Sequence, residues 1–167
     1  MCGRFTLRTP LTVLVDQFHF DLGNAQLALR YNIAPTQEVA AVRLMDGKRQ
    51  LATLRWGLIP SWAKDVKIGA SAINARADTV ATKPMFRTAY KRRRCLVLAD
   101  GYYEWLRVGK FKQPYLYEVD GGKPLRSLAF GNSGGGPATK KLRPWKPARS
   151  SRVMRTSWRR KSTTGCR

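Results

Sequence analysis

Acidic residues are scarce in this chain: 10 Asp and Glu stand against 32 Lys and Arg, for a formal net charge of +22. That imbalance points to a polyanion partner, with nucleic acid foremost. Histidine occurs once, at His19 between Phe18 and Phe20, where a structural or surface role is expected. There is accordingly no Ser/His/Asp or Cys/His pair to run a general protease. Cysteine occurs three times (Cys2, Cys95 and Cys166), an odd count without metal-ligand spacing. A disulfide framework and a zinc site are thereby excluded, and a reducing compartment fits. No apolar run approaches the ~18 residues of a membrane span, and MCGRFTLRTP contains no apolar signal segment. The expectations are a cytoplasmic, nucleoid-associated location, no membrane partner, no metal and no cofactor. The composition is 43% hydrophobic over 167 residues, which suffices for one domain and leaves room for a tail.

The charge is unevenly spread. Residues 131–167 hold 11 basic residues and no acidic one, together with GNSGGGP and scattered prolines. By composition this segment reads as an unstructured basic tail, and residues 1–130 as the domain. The domain keeps a net +11.

Within the domain, Thr9-Pro10 reads as a helix cap followed by proline at the first helical position. Leu11, Leu14, Val15 and Phe18 continue at helical spacing, so a short amphipathic helix is expected over about residues 10–19. A loop holds Tyr31 to Thr36. Val39 to Met45 and Gln50 to Trp56 flank the turn signal Asp46-Gly47 and read as a hairpin. Gly57 to Trp62 is a rigid, aromatic-flanked turn, and a second helix is expected over residues 79–89. Cys95 to Ala99 is a buried strand by composition, and Tyr102 to Leu106 continues it. Tyr115 to Val119 and Leu125 to Phe130 flank Asp120-Gly121-Gly122-Lys123. The expected class is α+β: β-rich, without repeats or βαβ alternation.

Four groups of residues could carry chemistry. Cys2 directly follows Met1, and removal of that methionine leaves an N-terminal residue with a thiol and an α-amine. An α-amine titrates near 7.7–8.0, so part of it is neutral at about pH 7 and can attack an aldehyde. The adjacent thiol can then close a five-membered thiazolidine. An incidental cysteine at this position is the plainer alternative. Asn74-Ala75-Arg76-Ala77-Asp78 sets an amide beside a guanidinium, a pair suited to a sugar and a phosphate; a turn asparagine beside a surface arginine is the alternative. Gly101-Tyr102-Tyr103-Glu104-Trp105 surrounds one carboxyl with aromatic rings, a setting for general acid/base work, unless Glu104 simply faces solvent. Arg87, Lys91, Arg92, Arg93 and Arg94 run beside Phe86 and Tyr90, while Trp56 and Trp62 lie in another aromatic loop. Basic groups that track a backbone, with rings that stack on bases, describe a single-strand groove; a solvated basic face with core aromatics is the alternative.

Five motifs occur in order: MCGRF, YNIAPTQ at 31–37, RWGLIPSWA at 55–63, INARADT at 73–79 and CLVLADGYYEW at 95–105. Together they resemble the SOS response-associated peptidase (SRAP) family, the abasic-site processing proteins, over about residues 1–130. The resemblance implies a β-rich pseudo-barrel with flanking helices, and single-stranded DNA with an abasic site as partner. It implies that Cys2 forms a thiazolidine with the ring-opened deoxyribose, that Asn74 holds the opened sugar, and that Glu104 is the acid/base. Arg4 and Arg76 would contact phosphates. Trp56 and Trp62 would line the DNA groove, with Asn32, Pro35, Arg87 and Arg92 also in the DNA-binding set. The family name implies removal of the residue before Cys2, and a lyase-like nick through the imine belongs to the same chemistry. A monomer is the expected state. A non-catalytic single-strand binder and an inactive truncated relative are the competing readings.

The tail departs from that family. Its pattern continues with a GLWE-like strand, a TILT-x-x-AN strand and an HDRMP motif, whose His is a second catalytic group. None of these occurs in residues 131–167, which contain no His. Back-translation explains the difference. Codons built from the third base of one codon and the first two of the next permit K-H-D-R-M-P across Lys161 to Arg167. The same frame permits L-W from Asn132, and a long run containing T-I-L-T-R-D-A-N between. Residues after about Phe130 therefore read as a frameshift product, with the C-terminal strands missing.

Overall fold

The computed structural model describes residues 3–23, 25–132 and 151–156. In chain order the strands are β1 (Arg4–Leu7), β2 (Arg30–Ile33), β3 (Glu38–Met45), β4 (Lys48–Trp56), β5 (Asn74–Ala75), β6 (Arg94–Ala99), β7 (Gly101–Val108), β8 (Phe111–Glu118), β9 (Leu125–Asn132) and β10 (Ser151–Thr156). The helices are α1 (Leu11–Phe18), α2 (Ile68–Ser71) and α3 (Arg87–Arg92). One sheet has the order β2-β1-β7-β8; the other has the order β4-β3-β6-β9-β10-β5. The second sheet curls on itself, because β10 pairs antiparallel with β9 and parallel with β4 and β5. A β-rich pseudo-barrel with short flanking helices results, in agreement with the expected class.

Local chemistry accounts for the elements. Asp46 and Gly47 both take positive φ, as a two-residue hairpin turn requires, and they set β3 against β4 from Glu38↔Arg55 to Met45↔Lys48. Period-2 alternation then aims Val39, Ala41, Leu54 and Trp56 inward, where they meet Val97, Ala99 and Ala129 in the main core. Helix α1 closes this core with Leu14 and Phe18. A smaller core holds Leu58, Val80, Phe86, Ala89 and Phe130.

Three expectations are corrected. Helix α1 starts at Leu11 with Pro10 as its cap, because the Thr9 hydroxyl donates to Asp100 Oδ2 at 3.0 Å instead of capping the helix. The helix expected over 79–89 is displaced to Arg87–Arg92, after turns through residues 79–86. Pro84 explains the shift: its ring blocks helix propagation through the preceding turn. The tail expected to be unstructured after Phe130 contains a strand, for β9 runs on to Asn132 and Ser151–Thr156 adds β10. The remainder of the tail, 133–150 and 157–167, lies outside the described residues. Strand β10 takes the edge of β9 that β6 leaves, where N–H and C=O groups would otherwise be unpaired, and backbone pairing to such an edge asks little of side-chain identity.

The junction between the two sheets is polar. Asp100, 1% exposed, sits between β6 and β7. Its carboxyl accepts from Thr6 Oγ1 at 2.6 Å and Thr9 N at 2.8 Å, and also from Arg8 N. Burial pushes this carboxyl upward, but the donors from Thr6, Arg8 and Thr9 outweigh it and hold the group below the usual carboxylate range. The network fastens β1 to the start of β7. Beyond it the β7–β8 hairpin projects with Leu106, Val108, Phe111 and Tyr115 exposed. Among the described residues, no helix is long and apolar enough to cross a membrane.

Candidate nucleic-acid interface

Strand β1 is the centre of the candidate site. It pairs with β2 through Phe5↔Ile33 and with β7 through Arg4↔Tyr103 and Phe5↔Tyr102. Paired residues share a face, so Arg4, Tyr103 and Trp105 lie on one side of this sheet. The Arg4 guanidinium donates to Asn32 Oδ1 at 2.9 Å, and the Tyr103 hydroxyl donates to Tyr31 O at 3.1 Å. Tyr103 and Trp105 sit with ring centroids 6.2 Å apart. Glu104 is half-buried between them in sequence and pairs across the hairpin with Tyr115. Cys2 lies outside the described residues, two positions before Arg4.

The loop after β2 is fastened at both ends. Ala34 N donates to Gln37 Oε1 at 3.1 Å, and Thr36 N donates to Trp56 O at 2.9 Å. Pro35 is half-buried in this loop, next to Thr36 at positive φ.

Trp56 corrects an expectation. It is fully buried, so it cannot line a groove. Instead its ring meets Phe5 edge-on at 5.3 Å, and its Nε1 donates to Ile73 O at 2.8 Å. One indole thus connects β1 to the residue immediately before Asn74, which is half-buried at the start of β5. The signal in the sequence is aromatic character, which does not distinguish a stacking platform from a core beam. Its neighbour in the motif, Trp62, is 59% exposed and remains available to a ligand.

Arg76 follows β5 and is exposed, with its guanidinium on Asp78 at 2.7 Å. The hydrogen bond from Arg76 holds the Asp78 carboxyl below its ordinary range. A phosphate at Arg76 would exchange with that carboxylate. Arg87 and Arg92 belong to α3, and both are exposed. Arg92 lines a separate cavity with Arg43 and Arg94, so the basic run does not join the β1 cluster. Arg30 is a functional candidate that the motifs do not single out; its guanidinium bonds Gln37 Oε1 and Glu38 O and braces the loop after β2. Tyr103 and Trp105 enter the sequence reading only as the surroundings of Glu104, although strand alternation puts them beside Arg4. Among the described residues, no cluster of three His, Cys, Asp or Glu could hold a metal ion.

The family model "SOS response associated peptidase (SRAP)" matches residues 1–131. The chain belongs to the SRAP family. It is 46% identical over 110 residues to abasic site processing protein YoaM of Bacillus subtilis, covering 65% of this chain and 48% of YoaM. It is 33% identical over 139 residues to abasic site processing protein YedK of Escherichia coli, covering 80% of this chain and 60% of YedK. The chain spans about half the length of the first curated relatives it matches. Among solved structures, a protein from Bacteroides thetaiotaomicron superposes with a TM-score of 0.71 at 19% identity, over 93% of this chain and 67% of that one. A phage-related protein from Bordetella bronchiseptica gives 0.66 at 27% identity, over 93% and 68%. The family match thus runs into β9.

Proposed function

We propose that this SRAP chain recognises abasic sites in single-stranded DNA and captures them covalently through Cys2. The observation that carries the reading is the Trp56 bridge, which ties β1, the strand that follows Cys2, to the segment presenting Asn74. The family match and the names of the relatives support the same substrate.

The chemistry balances without a cofactor. Once Met1 is removed, the neutral α-amine of Cys2 adds to the deoxyribose aldehyde and loses water to give an imine. The thiolate then adds to the imine carbon, nitrogen takes up the thiol proton, and a thiazolidine results. Glu104 supplies the proton for ring opening and for the departing water. Asn74 orients the opened sugar. Arg4 and Arg76 hold the flanking phosphates, and Trp62 stacks on a base. Loss of a C2′ proton from the imine would expel the 3′ phosphate, which is the lyase branch.

A denaturing gel with an abasic single-stranded oligonucleotide tests the proposal. A slow-migrating band is expected from the parent and none from Cys2→Ala. Equal bands, or no band from a parent whose intact mass shows Met1 removed, would overturn it. The second outcome would favour a non-catalytic binder. The gel also shows any nicked strand from the lyase branch.

The tail is proposed to be a frameshift product that removes the HDRMP histidine. Shifting the gene by one base after the Phe130 codon is expected to restore that motif and raise the crosslinking rate. A gene with no such open frame would end this proposal.

A further inference from the structure

A second cationic centre lies away from the β1 cluster. Arg43 near the end of β3, Lys91 and Arg92 of α3, Arg93, and Arg94 of β6 line one cavity of roughly 320 Å³, with Cys95 in its wall. No carboxylate lines it among the described residues. Lys91, Arg92 and Arg94 have no salt bridge among the described residues. The arrangement is fixed by the fold. Arg43 pairs with Cys95 across β3 and β6, and Arg93 is held from both sides: its Nε donates to Gly131 O at 2.9 Å, while its carbonyl accepts from Gly131 N at 2.8 Å. Lys91, Arg92 and Arg94, gathered beside Arg93 with no carboxylate in the lining among the described residues, repel one another, and a bound anion would relieve that repulsion. Burial, followed by the charge of Arg92, already lowers the Arg93 guanidinium from its usual value. Leu44 and Leu54 complete the lining, with Leu54 buried and Leu44 exposed.

The cavity shares no lining residue with the candidate site around β1: Arg4, Asn32, Asn74 and Glu104 are all absent from its walls. We propose that this cavity binds a phosphate group of the single-stranded nucleic acid at a position outside the β1 cluster, a second point of attachment that reads no base. The proposal rests on the nucleic-acid reading given above.

Fluorescence anisotropy with an undamaged single-stranded oligonucleotide tests it, titrated at several salt concentrations. In the Lys91→Ala/Arg94→Ala variant the slope of log affinity against log salt is expected to flatten by about 0.7, the amount for one phosphate no longer neutralised. Lys110→Ala/Lys123→Ala removes equal charge elsewhere and should flatten it less. An unchanged slope in the first variant, or equal flattening in both, overturns the proposal. Calorimetry with inorganic phosphate separates the two sources. If the parent binds inorganic phosphate, the Lys91/Arg94 variant does not, and both bind the oligonucleotide alike, the cavity serves a small anion and the strand proposal fails. Cys2→Ala should retain the parental slope, so failure of the covalent reading and failure of this one are read separately.

Discussion

Replacing Asp100 with Ala probes the joint that places β1. The carboxyl accepts from the Thr6 hydroxyl, the Thr9 hydroxyl and the backbone N–H groups of Arg8 and Thr9. Hydroxyls can rotate toward other acceptors, whereas the two backbone donors cannot. Stranding those donors and the buried Thr6 hydroxyl costs about 1 kcal/mol each at the lower end, where water reaches part of the site. Together with the missing carboxyl packing, about 3–4 kcal/mol is expected, a fall in melting temperature of roughly 10 °C for a domain of this size. Asp100→Asn should fall between parent and Ala, because its amide oxygen can still serve both backbone donors while its NH2 turns to the Thr6 hydroxyl. The pH dependence carries a sign. The folded carboxyl titrates below the unfolded one, so unfolding takes up a proton between the two values. The Asp100 contribution is full above about pH 3.9 and is lost as pH falls through the folded value. Thermal melts by circular dichroism from neutral to acid pH should therefore show parent and Ala curves converging at the acid end. A decrease smaller than about 3 °C at neutral pH, or an Asn variant as unstable as Ala, would refute the reasoning.

Other expectations follow from single contacts. Gly57→Ala would put a Cβ 2.3 Å from Gly69 O at a φ of +132°, so loss of about 2 kcal/mol or more is expected in chemical denaturation. The buried Cys95 thiol is pushed up to about 12 by desolvation; alkylation at mildly basic pH should leave it unlabelled in the native protein and label it in denaturant, as mass spectrometry of its peptide would show. Arg76→Ala should leave the melting temperature unchanged, since the Arg76–Asp78 pair is exposed, while weakening abasic-DNA binding in anisotropy. Trp62→Ala should do the same by removing a stacking ring, at roughly 1–3 kcal/mol.

Legibility in the sequence follows the range of the interactions. The Asp46-Gly47 hairpin, a helix over about residues 10–19, and strands over Cys95 to Ala99 and Leu125 to Phe130 rest on local periodicity and turn chemistry, and each is present with its ends moved by at most two residues. Strands β1 and β2 carry no such local signal. Each is four residues long and is held by pairing to residues far along the chain, such as Arg4↔Tyr103. The site shows the same division. Motifs pick out Arg4, Asn32, Asn74 and Glu104 as candidates, but whether an aromatic faces solvent depends on register, and register puts Trp56 inside and Trp105 outside. The separation of Arg92 from Arg4 likewise needs the sheet topology, since charge counts carry no distances.

Trp56 has a further use as an optical reporter. Its indole is enclosed, bonded through Nε1 to Ile73 O and edge-on to Phe5, whereas Trp62 and Trp105 are open to solvent. Emission from an enclosed indole is blue-shifted and shielded from soluble quenchers. In a background where the other four tryptophans are phenylalanine, that emission reports on the contact that joins β1 to the Asn74 segment. Separation of the two would redden the signal and expose it to iodide even if the rest of the sheet remained paired. The assembly of the candidate site can thus be followed in time, during folding or on addition of DNA, without a label and independently of any covalent product.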